Sequence, residues 1–317
     1  MNLYNKTAIY SLKNEIPQRH VGQYFQIVHF NDQYYLYYNS ENTIKLVISK
    51  SLRFLDAKPV VVVQEAPGGS FCIIEDDGKL KMLCGAHISN NESGEISIPD
   101  LVWPDEEKKI LDWNVKRDDR KNGLYLLSST DGFIWNEECE APVMHKHISS
   151  DSCKLGEVGF DTSPSLIKHN QEFYYYGRLN PSLDERRMYV SRSKDLINWS
   201  SPEQIKIINE NDNDLKKNFY MPVVFKRHGF FYMFCPYFEC CGTPNRDCKN
   251  GATILMKSDD GIYWEIKESF FPHEGKYRHR VNDIIFKDNQ AYLFFRENFW
   301  ECHQDLVYYN TKESDLQ

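Results

Sequence analysis

The 317-residue chain contains no run of 18 apolar residues, which excludes a transmembrane helix from its sequence pattern. Its first segment, MNLYNKTAIYSLKNEIP, lacks an apolar core after the first charge, so no secretory signal is read and a cytoplasmic location is expected. Basic residues do not predominate: 38 Lys and Arg stand against 46 Asp and Glu, for a net charge of −8. A nucleic-acid partner needs the opposite balance. Cysteine is present nine times, an odd number without regular spacing, which argues for free thiols over a disulfide framework. Cys72, Cys84 and Cys235 lie within strand-like runs and read as small core residues. Cys240, Cys241 and Cys248 in ECCGTPNRDC lack a C-x-x-C pair, so they read as loop thiols and no metal site is assigned. No cofactor motif is found. A structural calcium in an axial channel has no evident ligand set, and oligomeric state is not readable.

What the chain does have is aromatic residues: 20 Tyr, 19 Phe and 6 Trp. Tyr and Phe pack well across a pleated surface, so this composition leans to β structure. A phrase recurs within it. SSTDGFIW (128–135) and KSDDGIYW (257–264) share Ser-x-Asp-Gly-x-x-Trp, and SRSKDLINW (191–199) repeats it with Leu for Gly. Asp accepts hydrogen bonds within a tight turn, Gly supplies positive φ, and Trp anchors the turn to its neighbour.

Five hairpin-like segments accompany the phrase: VHFNDQYYLYYN, IIEDDGKLKMLCG, LIKHNQEFYYYGR, VFKRHGFFYMFCP and IFKDNQAYLFFRE. Each has two apolar runs around a polar turn, and each is followed by a further strand pattern. A four-stranded propeller blade needs roughly 40–50 residues, so five blades fit. The expected fold is therefore all-β: one five-bladed β-propeller spanning residues 1–317, its ring closed by the N-terminal segment KTAIYSL. Residues 88–122 read as a long loop of blade two with a short helix at DEEKKILDW; a sixth blade hidden there is the alternative.

Propellers place a ligand where the inner strands of several blades begin. The residues just before those strands are Arg19 and His20 (blade one), Glu65 (two), Asp161 (three), Tyr220 (four), and Arg278, His279, Arg280 and Asp283 (five). Arg178 in YYYGR, and Arg296 with Glu297 in FFREN, stand at the far ends of second strands. Two carboxylates in such a funnel suit glycosidic cleavage, one protonating the leaving oxygen while the other assists water or attacks carbon. Asp161, Glu65 and His20 are the catalytic candidates. The alternative for Asp161 is a turn or cap residue, and for Glu65 an exposed loop residue. Arg19, Arg178, Tyr220, Arg278, His279, Arg280 and Asp283 are the substrate-binding candidates, Arg being the fork that matches an oxyanion.

The five-fold pattern, FDTSPSLIKHNQEFYYYGR and YMPVVFKRHGFFYMF resemble the five-bladed propeller glycoside hydrolases, a group that includes families 32, 43, 68, 117 and 130. The resemblance implies a carbohydrate substrate and three axial carboxylates. DTSPSLIK matches the surroundings of one of them, so Asp161 carries over. Where an acidic Glu is implied the chain has Tyr220-Met221-Pro222, and where an Asp is implied it has Gln23-Tyr24. Three readings follow: a glycosidase, with an anionic or phosphorylated sugar as its candidate substrate; a phosphorylase; or a propeller that binds sugar without cutting it.

Overall fold

The computed structural model describes residues 4–12, 24–40, 43–63, 71–87, 122–139, 142–145, 161–182, 185–208, 217–239, 249–273, 280–296 and 305–316. The 88–122 segment, apart from Asn122, and the 240–248 cysteine loop lie outside them. The chain opens with β1 (Tyr4–Ser11). Blade one follows as β2 (Phe25–Phe30), β3 (Gln33–Ser40), β4 (Thr43–Ser49) and β5 (Val60–Val63). Blade two holds β6 (Phe71–Asp76), β7 (Lys79–His87) and β8 (Asn122–Ser129), with the short β9 (Asn136–Glu137) and β10 (Met144–His145) on its outer edge. Blade three is β11 (Asp161–His169), β12 (Glu172–Ser182), β13 (Glu185–Ser193) and β14 (Glu203–Gln204). Blade four contains β15 (Lys206–Ile207), β16 (Lys217–Phe219), β17 (Val223–Arg227), β18 (Phe230–Glu239), β19 (Lys249–Ser258) and β20 (Tyr263–His273). Blade five is β21 (Val281–Lys287), β22 (Gln290–Arg296) and β23 (Asp305–Lys312).

β1 pairs antiparallel with β23, so the N-terminal strand completes blade five and closes the ring. The segment KTAIYSL supplies the closing strand that a five-bladed ring was expected to need. Its Ile9 and Tyr10 are buried against blade one, where Phe54 donates its backbone N–H to the Ile9 carbonyl at 2.8 Å. The two ends of the chain are thereby held in one sheet.

The recurring turns stand at the end of the third strand in blades two, three and four. In blade two, Asp131 Oδ1 accepts the N–H groups of Phe133 and Ile134 at 2.8 and 2.9 Å, and Ser129 Oγ accepts from Gly132 at 2.8 Å. Trp135 Nε1 donates to the Gly132 carbonyl at 3.2 Å. Asp260 and Trp264 repeat these bonds in blade four. Asp195 and Trp199 do so in blade three, with Leu196 in the glycine position at φ 64°.

Neighbouring blades explain that exception. Tyr37, Leu83 and Tyr176 are each the fifth residue of their blade's second strand. Tyr37 donates its hydroxyl to the Gly132 carbonyl of the next blade at 2.9 Å, and Tyr176 does the same to Gly261 at 3.1 Å. A Cβ at Gly132 would sit 2.7 Å from the Tyr35 ring, and one at Gly261 only 2.3 Å from the Tyr176 hydroxyl. Glycine is thus required by close approach as well as by φ. Blade two offers Leu83, which has no hydroxyl to give. There the turn carries Leu196, buried with Leu83 in one apolar cluster. The Trp rings follow suit. Trp135 and Trp264 lie edge-on to Tyr37 and Tyr176 of the preceding blade, whereas Trp199 lies against Tyr175 of its own.

Candidate active site

The innermost strands β2, β6, β11, β17 and β21 lie side by side in ring order about the axis. They surround a cavity of about 350 Å³ to which all five contribute. Most of its polar groups are already engaged in joining blades. Gln26 clamps the backbone of Ile73, accepting its N–H and donating to its carbonyl, both at 2.8 Å. Ser165 Oγ accepts the Val224 N–H at 2.9 Å. Asp283 Oδ2 accepts the Ile27 N–H at 2.6 Å while Oδ1 accepts from Ile284 at 2.8 Å. These side chains bridge blades one to two, three to four, and five to one. Asp283 keeps partial exposure through the channel, but protein encloses it, and burial pushes its carboxyl up to about 7 against the pull of the two N–H groups.

With the shaft so committed, free chemistry belongs at the end where the inner strands begin. Asp161, first residue of β11, pairs across the ladder with Arg178 of β12. Arg178 is buried, and its guanidinium lies 4.0 Å from the centre of the Tyr220 ring, a cation–π contact. Tyr220 is held by its N–H, which donates to the Pro236 carbonyl at 3.0 Å. Met221 follows at φ 52°, a left-handed conformation that a non-glycine residue holds only under tertiary constraint.

The Arg280 guanidinium touches Met221 Sδ and lies 5.7 Å from the centre of the Tyr24 ring. Tyr24 is fixed by a two-bond clamp: its N–H donates to Asn39 Oδ1 at 2.8 Å, and Asn39 N–H donates back to its carbonyl at 3.0 Å. Arg296 ends β22 beside this group and is 3% exposed. Burial, and secondarily the charge of Arg280, lowers its pKa to about 9.

Of the residues singled out in the sequence, Asp161 meets Arg178 in the ladder, Arg178 meets Tyr220, and Arg280 stands at the same mouth. Asp283 is separated from them by its part in joining blades five and one. Glu65, His20, Arg19, Arg278 and His279 lie outside the described residues. Tyr24, Met221 and Arg296 were not counted as binding candidates. Arg296 could not be placed by aligning the two apolar runs of the last hairpin: the turn's register sets it opposite Val281, and a register shift between Val281 and Asp283 pairs Val281 with Phe295 instead. Among the described residues no group of three or more His, Cys, Asp or Glu side chains could hold a metal ion, and no helix is long and apolar enough to cross a membrane.

No family model matches the chain, and comparison with curated proteins gives no match. Solved structures do match. The Penicillium chrysogenum α-L-arabinanase complexed with arabinobiose aligns over 100% of both chains with TM-score 0.58 and 10% identity. The Bombyx mori GH32 β-fructofuranosidase BmSUC1 aligns over 96% of this chain at TM-score 0.55 and 15% identity; the match spans 61% of that protein's length. An N-acetylgalactosamine deacetylase from F. plautii, in complex with blood group B trisaccharide, aligns over 98% of this chain and 94% of its own at TM-score 0.59 and 10% identity. Neighbours from glycoside hydrolase families 32 and 43 bear out the resemblance read from the sequence, as a likeness of fold. At these identities it is the five-bladed fold that is shared, and fold alone does not fix chemistry.

Proposed function

We propose that the chain is a carbohydrate-active enzyme that cleaves a glycosidic bond at the axial mouth. The observation that carries this reading is the pairing of Asp161 with Arg178, whose guanidinium lies on Tyr220, at the start of the inner strands. Asp161 acts as a catalytic carboxylate, either assisting water or stabilising positive charge at the sugar carbon. Glu65, with His20 as the alternative, supplies the proton to the leaving oxygen. Tyr220 offers its ring to the sugar, and Arg178 and Arg280 hold polar substituents, charge on the substrate among them. The buried free thiols Cys72, Cys84 and Cys235 fit a reducing compartment and hence a cytoplasmic site of action.

A second reading has its own support. Tyr24, clamped by Asn39, and Met221 with Pro222 stand where the resemblance implies two carboxylates. A propeller that binds sugar without cutting it would look like this. The two readings separate in one experiment: release of product from a panel of nitrophenyl glycosides and glycosyl phosphates, with and without inorganic phosphate. Turnover that falls by about a hundredfold or more in Asp161→Asn supports the enzyme. A phosphate requirement makes it a phosphorylase. Glycan binding that is unchanged in Asp161→Asn, with no turnover by either protein, supports the binding module instead.

A further inference from the structure

Two lysines stand at the end of the shaft away from the mouth. Lys168 of β11 and Lys226 of β17 are each the last residue but one of an inner strand, and both line the axial cavity. Their surroundings differ. Lys168 lies against Asp76 of blade two, which holds its amine above the ordinary lysine value. Lys226 meets no carboxylate among the described residues. Its Nζ lies 2.7 Å from His169 Nε2 and 4.0 Å from the centre of the ring of Phe231, its partner across the β17–β18 ladder. His169 ends β11, and its ring stands edge-on to Phe231 with centroids 5.3 Å apart. Lys226 and His169 are both partly buried. Two positive charges at such a separation repel, so the pair carries at most one charge near neutrality. Burial pushes the Lys226 amine down, and burial followed by the charge of Lys226 does the same to His169. A desolvated amine beside a proton acceptor is the arrangement that turns lysine into a nucleophile for carbonyl carbon.

We propose that Lys226 and His169 form a nucleophilic amine site that captures a small aldehyde as an imine, with the Phe231 ring facing the cation. The site lies apart from the sugar mouth and does not rest on it. An aldehyde is the carbonyl that suits the pair, because imine formation must expel water and His169 is placed to move the protons. Lys226 first passes one proton to His169 Nε2. The neutral Nζ then attacks the carbonyl carbon, so that an N–C bond forms and the π pair moves to oxygen. The nitrogen gives a second proton to that oxygen. His169 delivers the first proton to the same oxygen, which leaves as water while the nitrogen lone pair closes the C=N bond. The product is a protonated imine and one water, with no oxidant or reductant consumed, and its charge lies against Phe231.

The test is limited labelling of the full chain at pH 7 with glycolaldehyde and cyanoborohydride, which fixes an imine as a stable amine, followed by peptide mass mapping. Lys168 is the internal control, since it lines the same cavity and is the more exposed of the two. The expected result is that Lys226 labels about tenfold or more faster than Lys168, because each unit by which an amine's pKa falls gives roughly tenfold more of its neutral form. The Lys226 rate also levels off at a lower pH than that of Lys168. In His169→Gln, first shown to melt as wild type does, Lys226 slows by about tenfold or more while Lys168 is unchanged. Lys226 labelling no faster than Lys168, or at its wild-type rate in folded His169→Gln, overturns the proposal. The wild-type ratio decides by itself if His169→Gln does not fold.

Discussion

At the turns, Asp131 and Asp195 are held below the usual carboxylate range first by backbone N–H donors. Asp260 is lowered as well, although burial opposes it, because Tyr263, Ile262 and Ser258 together outweigh that burial. At the axis Asp283 accepts two backbone N–H groups, and its carboxyl is nonetheless pushed up to about 7. The local bonds are alike and the outcome is opposite. Exposure to water makes the difference: donors favour the charged form, desolvation disfavours it, and only inside the ring does desolvation win. The turns are therefore permanently charged structural fastenings, while the axis is a place where titration near neutrality is built in.

The largest effect expected from breaking the turn is at Gly261. Gly261→Ala adds a Cβ 2.3 Å from the Tyr176 hydroxyl at φ +79°, whereas Gly78→Ala, at φ +71°, meets nothing within 4 Å. The first should destabilise by about 3 kcal/mol, strain and overpacking together, and the second by about 1 kcal/mol from φ alone. Urea denaturation measures both. Equal losses would show that Tyr176 does not enforce the glycine.

At Asp283 the expected effect is a slope against pH. Its folded pKa lies above the unfolded value of 3.8, so its contribution is most favourable below about pH 4 and is lost as pH rises through about 7. The turn aspartates run the other way: their stabilisation is present above about pH 4 and lost on acidification. Asp283→Asn should flatten the fall in melting temperature between those limits and leave the acid limb in place. An unchanged slope would mean that the axis does not hold this carboxyl away from water. An effect as small as that of Gly78→Ala is expected at Tyr176→Phe, which removes one buried hydrogen bond of 3.1 Å to Gly261 and should cost about 1 kcal/mol. A loss near zero would leave ring packing as the whole of that contact.

The blades were legible because their determinants are local. Alternation gives strands, Asp-Gly gives turns, and a repeat gives the ring, whose need to close placed β1 on blade five. Leu196 was visible as a departure but not as an explained one. Its reason is Leu83, more than a hundred residues earlier, and only the closed ring brings the two together. The site was legible in part for the same reason. Asp161, Arg178, Tyr220 and Arg280 stand at strand ends that a hairpin alignment locates. Whether Asp283 faces substrate or fastens β21 to the Ile27 backbone depends on packing between blades, which no one-dimensional pattern carries.

The most direct test of the account makes one chemical change at each end of the molecule, Asp161→Asn at the mouth and Asp195→Asn at a turn. Both kcat/KM and melting temperature are measured on a substrate drawn from the glycoside panel. The account predicts a crossed result: Asp161→Asn loses about a hundredfold or more in kcat/KM with its melting temperature kept, while Asp195→Asn melts a few degrees lower and keeps its kcat/KM. Activity that survives at Asp161, or is lost with Asp195 in a protein that remains folded, would contradict the assignment of chemistry to the mouth.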